Sequence, residues 1–129
     1  MKSIRHLLCA LTLLTIPSTA SAATGHELLR QCEALVRGAV IRRDQVTLPR
    51  GRSAAECWFY MAAVQDLTAT VEVEGGPSVL GACLPPETTR MDIIWAFVRY
   101  ARAHRNQLAE RVTAILIPAL VKKFPCEKP

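Results

Sequence analysis

The chain has 129 residues, 50% of them hydrophobic and 21% charged, with a formal net charge of +5. That length suits one small globular domain. The charge, once its origin is traced, argues against a nucleic-acid partner.

The first segment, MKSIRHLLCALTLLTIPSTASAA, carries Lys2 and Arg5, then an apolar run from Leu7 to Ile16, then small residues, with Ala20-Ser21-Ala22 as a cleavage site. This is the pattern of a secretory signal peptide, and its run is too short to span a bilayer as a stable helix. Residues 1–22 are therefore read as a cleaved signal and 23–129 as a single helical domain. Cleavage leaves 107 residues and removes two of the cations, so the mature charge falls to +3. Spread over a domain that meets little nucleic acid after export, this charge does not mark a nucleic-acid surface. No later segment is long and apolar enough to cross a membrane, so no membrane association is expected after cleavage.

Cleavage also removes Cys9 and leaves Cys32, Cys57, Cys83 and Cys126. Four cysteines in a small exported domain read as two disulfides. The intervals of 25, 26 and 43 residues contain no C-x-x-C pair, which argues against zinc.

Three helix starts share one signature. Thr24 precedes Glu27 by three, Ser53 precedes Glu56 by three, and Thr89 precedes Asp92 by three. In such a box the hydroxyl accepts from an orphan backbone N–H while the acid reaches back to the cap residue. Apolar residues follow each start at helical spacing: Leu28, Cys32 and Leu35; Cys57, Met61 and Val64; Ile93, Ile94, Phe97 and Ala101. A fourth pattern runs through Leu108, Val112, Ile115, Leu116 and Leu120, with Asn106 as its cap and Pro118 placed to bend it or loosen one turn. The spacing predicts helices near 26–40, 54–70, 90–104 and 107–123. The fold class is all-α, a compact bundle of about four helices braced by two disulfides.

The connections differ in kind. RRDQVTLPRGR reads as a basic solvated loop. TVEVEGGPSVLGACLPP alternates apolar and acidic residues and breaks at Gly75-Gly76-Pro77, which suits a short extended arm or hairpin. The tight junction at His104-Arg105-Asn106 makes the last two helices an antiparallel pair. That packing brings Cys83, before the third helix, near Cys126, after the fourth. Cys83–Cys126 with Cys32–Cys57 is the preferred pairing of three possible ones. The closing KKFPCEKP, with Phe124, Pro125 and Cys126, then reads as an end that is tied down.

Little points to catalysis. The mature chain has only His26 and His104, and no H-E-x-x-H, G-x-S-x-G or phosphate loop. Asp66 and Asp92 are better read as helix-surface and cap residues than as a carboxylate pair. His104 near a helix C-terminus favours that end of the dipole. No catalytic residue, cofactor or metal site is expected. CWFYMAAVQD sets Trp58, Phe59 and Tyr60 in a row, and a turn of 100° per residue leaves at least one ring looking outward unless another chain covers it. Such rings suit a dimer or partner surface. The acidic arm, with Glu72, Val73 and Glu74 before Gly75 and Gly76, could plug a partner's cleft, its glycines permitting close backbone approach.

An early helical Cys32, then CWFYMAAVQD, then CLPP, then two helices closing on FPC, in that order, resembles the Rap/Tai immunity proteins of type VI secretion systems. The match covers residues 28–126. It departs at Phe59 and Ala63, where the family commonly has glycine, and at His104-Arg105, where His-Pro is common. The resemblance implies an all-helical homodimer in the periplasm. It implies a partner too, a peptidoglycan amidase effector whose active site is occluded. The binding residues expected on that reading are Glu72, Val73, Glu74, Gly75, Gly76 and Trp58. The alternative is a small disulfide-bonded periplasmic chaperone or envelope-stress protein.

Overall fold

The structure, a computed structural model, describes residues 22–71, 74 and 76–127. The expected signal segment lies outside the described residues. Four α-helices are present, α1 (Gly25–Gly38), α2 (Arg52–Ala69), α3 (Arg90–Ala103) and α4 (Thr113–Lys123). A two-stranded antiparallel sheet, β1 (Val40–Arg42) and β2 (Gln45–Thr47), stands between α1 and α2, so the fold is not purely all-α.

α1 starts where Thr24 accepts a hydrogen bond from the Glu27 N–H at 3.3 Å. It buries Leu28, Leu29, Cys32 and Leu35 on one face. α2 buries Ala54, Cys57, Met61, Val64 and Thr68 at helical spacing against it. α3 is the central element. Met91, Ile93, Ile94, Ala96, Phe97, Val98 and Ala101 are all buried, a stripe too wide for one neighbour, because α3 packs against α1, α2 and α4. α4 closes the core with Ile115, Leu116, Ala119 and Leu120, and remains helical through Pro118.

The disulfides are Cys32–Cys57, from α1 to α2, and Cys83–Cys126, across the open ends of α3 and α4. Beside the second, the Cys83 N–H donates to the Phe124 carbonyl at 3.0 Å, and the Phe124 ring is buried. This is what holds the C-terminal segment.

Three local expectations are corrected. Ser53 does not cap α2: the helix begins at Arg52 after Gly51, whose φ of 137° is open to glycine and no other residue without strain. The Glu56 carboxylate is instead taken by Arg52 Nε at 2.6 Å and Gln31 Nε2 at 2.8 Å.

Asn106 does not cap α4. It lies in a 3-10 turn, Arg105–Gln107, and α4 starts at Thr113, five residues after its apolar pattern begins at Leu108. The intervening backbone has another task. Leu108 and Glu110 carbonyls accept from the His26 and Gly25 N–H groups at 2.9 and 3.0 Å, and the Val112 N–H donates to Ala23. First-turn donors of α1 that no helix can satisfy internally are thus paired by this segment, which must be irregular to reach them.

RRDQVTLPRGR is not a plain loop. Val40–Arg42 pairs with Gln45–Thr47, Ile41 opposite Val46, around a tight Arg43-Asp44 turn in which Arg43 has φ 55°.

Candidate functional site

No group of three His, Cys, Asp or Glu among the described residues could hold a metal ion. Asp66 is exposed on α2. Asp92 is committed to a full capping box, accepting from the Thr89 N–H at 2.8 Å and the Thr89 hydroxyl at 2.6 Å. Those two bonds, the hydroxyl foremost, lower its pKa below the ordinary carboxylate value. His104 ends α3 with its ring stacked on Tyr100, centroids 3.8 Å apart, and Nδ1 2.8 Å from the Tyr100 carbonyl.

The aromatic run on α2 divides three ways. Tyr60 is half-buried against the core, and burial raises its phenol pKa. Trp58 is half-buried too, with the Arg90 guanidinium 4.4 Å from its ring centroid; Arg90 Nε also donates to Gln65 at 3.1 Å. Phe59 turns outward and is 69% exposed.

Below Phe59, Ala63 and Leu67 follow at four-residue steps, both exposed, and Val71 comes just past the helix end, 45% exposed. Residues four apart share a helix side, so α2 carries an uncovered apolar stripe about 12 Å long from Phe59 to Leu67. The stripe leads to the acidic arm. Val71 pairs with Ser78 in an isolated antiparallel bridge, and the Val79 N–H donates to Thr70 at 2.9 Å. Residues 70–71 and 78–79, on either side of the acidic segment, are therefore paired. Ser78 is buried there, donating from its backbone N–H to Ala82, next to the bridged Cys83. Of the expected contact residues, Glu74 is exposed in a turn and Gly76 is half-buried. Glu72, Val73 and Gly75 lie outside the described residues.

A second surface was not foreseen. Between the β-hairpin and the start of α3 lies a cleft of about 460 Å³. Ile41, Val46, Trp58, Met91 and Trp95 supply its apolar wall, and Arg43, Asp44 and Arg90 stand on the rim. Trp95 is 38% exposed and Ile41 54%. Trp95 had a signal in the sequence: it breaks the polar face of α3 between the buried Ile94 and Ala96, as Phe59 does on α2. Ile41 had none, because its exposure depends on how the hairpin stands. The structure thus places Trp58 in this cleft and leaves Phe59 exposed on another side of α2.

Compared with protein-family models, residues 24–126 match the model described as Rap1a immunity proteins. The matched range takes in all four helices and both disulfides. Comparison with curated proteins and with solved structures found no match.

Proposed function

We propose that this chain, which belongs to the Rap1a immunity protein family, acts in the periplasm by binding a type VI peptidoglycan amidase effector and covering its active site. The carrying observation is the uncovered stripe of Phe59, Ala63 and Leu67 running into a loop whose base is locked. A stable apolar surface that leads into an acidic segment suits a blocker that needs no chemistry of its own. Phe59 and Leu67 would form the buried centre of the contact, and Glu72, Val73, Glu74, Gly75 and Gly76 would enter the effector's cleft. Aromatic anchors of this kind commonly dominate interface energy. A single free hydrolase keeps cutting, so the complex must be tight; a nanomolar dissociation constant corresponds to about −12 kcal/mol.

The compartment follows from the same reading. Disulfides persist in oxidising compartments, and both bridges here join elements of one fold. No helix among the described residues is long and apolar enough to cross a membrane. Both facts fit an exported protein, and residues 1–22 would be the signal. The homodimer implied by the family likeness would use the cleft at Trp58 and Trp95, leaving the α2 stripe for the effector.

The test is inhibition of muropeptide cleavage by the cognate amidase, titrated with the purified chain. Stoichiometric loss of turnover is expected, with Phe59→Asp/Leu67→Asp raising the inhibitory concentration at least about a hundredfold. Glu72→Lys/Glu74→Lys should weaken inhibition without lowering Tm. A tight complex that still cleaves would sink the occlusion reading. Weak binding to many unfolded clients, lost in the Phe59→Asp/Leu67→Asp variant, would turn the stripe into a chaperone surface.

A further inference from the structure

Lys122 and Lys123 end α4, and the dipole of that helix accounts for cations there. It does not account for Arg99, which stands in the middle of α3 and faces them across a groove of about 290 Å³. The floor of that groove is small and apolar, made by Ala96, Ala103 and Ala119. Its wall is the stacked pair Tyr100 and His104, with Lys122 Nζ 6.0 Å from the Tyr100 ring centroid.

What marks this groove is that three cations, Arg99, Lys122 and Lys123, line one concavity. Elsewhere on the surface Arg37 and Arg102 both pair with Glu33, and Arg52 pairs with Glu56, whereas Arg42, Arg43 and Arg50 form no ion pair among the described residues. Among the described residues no acidic one lines the groove. Among the described residues Arg99, Lys122 and Lys123 form no ion pair. Lys123 exerts a weak field on Asp92, and that carboxylate is already held by Thr89. Three cations therefore converge on one concavity with their charge unspent.

We propose that the groove between α3 and α4 is a separate docking site for an acidic polypeptide segment of a partner protein. The shape and the charge select that class together. An extended chain can lie on the alanine floor with the methylenes of its glutamates against Tyr100, while the planar Arg99 fork and the two ammonium groups take carboxylates at the rim. Carboxylate geometry suits the bidentate arginine fork. A free phosphate would use the rim and leave the apolar floor empty. A bilayer is flat and could not follow a concave floor into the groove. The site shares no lining residue with the cleft at Trp58 or with the α2 stripe, so it stands or falls independently of the effector reading.

The test uses the disulfide-bonded protein, labelled with nitrogen-15, and a capped hexapeptide of alternating glutamate and alanine. Saturable amide shifts are expected at residues 96–104 and 119–123. Affinity should fall at least about tenfold, the weight of one charge-assisted hydrogen bond, for the analogous glutamine peptide and for Arg99→Gln/Lys122→Gln. It should also fall with added salt, because groove charges reached by solvent are screened. Both substituted side chains are exposed, so the variant should keep its Tm, and Phe59→Asp should bind the peptide unchanged. Equal binding of the glutamine peptide, equal binding by the variant, or no saturable shift would overturn the proposal. So would displacement of the peptide by inorganic phosphate or by phosphatidylglycerol vesicles that saturate the same amides, which would give the groove to a phosphate ligand.

Discussion

Cys32–Cys57 and Cys83–Cys126 close loops of 25 and 43 residues in opposite surroundings. Cys32 and Cys57 are fully buried between α1 and α2, among the side chains that form the core. Cys83 and Cys126 are half-exposed and join two segments outside the helices. Chain entropy alone ranks the longer loop as the more stabilising, by about 4 kcal/mol against about 3.5. Packing ranks them the other way, because removing a buried bridge also leaves a void where two helices meet. The contrast separates a bridge that is part of the core from one that only restrains an end.

The sharpest way to break this comparison is to remove each bridge. Cys32→Ala/Cys57→Ala should lose about 5 kcal/mol of unfolding free energy and Cys83→Ala/Cys126→Ala about 3 kcal/mol, read by urea denaturation. The reverse order would make loop length the deciding quantity. Stepwise reduction with alkylation and mass spectrometry should open Cys83–Cys126 first, since thiolate attack needs access.

The seam between the α1–α2 and α3–α4 pairs is next in size. A Cβ on Gly25 would overlap the buried Ile115 side chain and press on the Leu108 backbone. Gly25→Ala should therefore cost about 1–3 kcal/mol, although alanine is the better helix former. A neutral or stabilising result would show that α1 can shift away from the segment that pairs its first N–H groups.

The helix starts in the two halves give a smaller contrast. Asp92→Asn should cost about 1 kcal/mol at neutral pH, whereas Ser53→Ala should stay within about 0.5 kcal/mol because Ser53 caps nothing. The sign of the pH effect follows from the lowered Asp92 pKa. Its contribution is present above the ordinary carboxylate value near pH 4 and is lost as the pH falls through the lower folded value. Thermal melts from pH 5 downward should therefore be flatter in Asp92→Asn than in the parent. The smallest effect belongs to the exposed pair Arg102–Glu33, which links α3 to α1 at 2.8 Å. Arg102→Ala should change stability by less than about 0.5 kcal/mol.

Much of the frame could be read locally. Thr24 and Thr89 cap α1 and α3 as their spacing predicts, and the apolar periods named the buried faces of all four helices. The hairpin escaped notice because its strands are three residues long and mostly exposed, so no alternation marks them. The start of α4 misled for a different reason. Leu108 and Val112 are buried as the helical pattern requires, but their backbone is drawn out to meet α1. At the candidate site, the 100° turn per residue required an outward ring on α2, and Phe59 is that ring. The cleft at Trp58 and Trp95 needs the hairpin to be in place before it exists.

The sequence by itself determined the helical periods, two of the caps, the cysteine frame and the likeness to immunity proteins, because each rests on residues close together or on their order along the chain. Only the tertiary structure decided which aromatic faces outward, where α4 begins, and which cations are left without a carboxylate. Those outcomes depend on what lies opposite each group. Glu33 pairs with Arg102, 69 residues away, while among the described residues no acid pairs with Arg99 three positions earlier on the same helix.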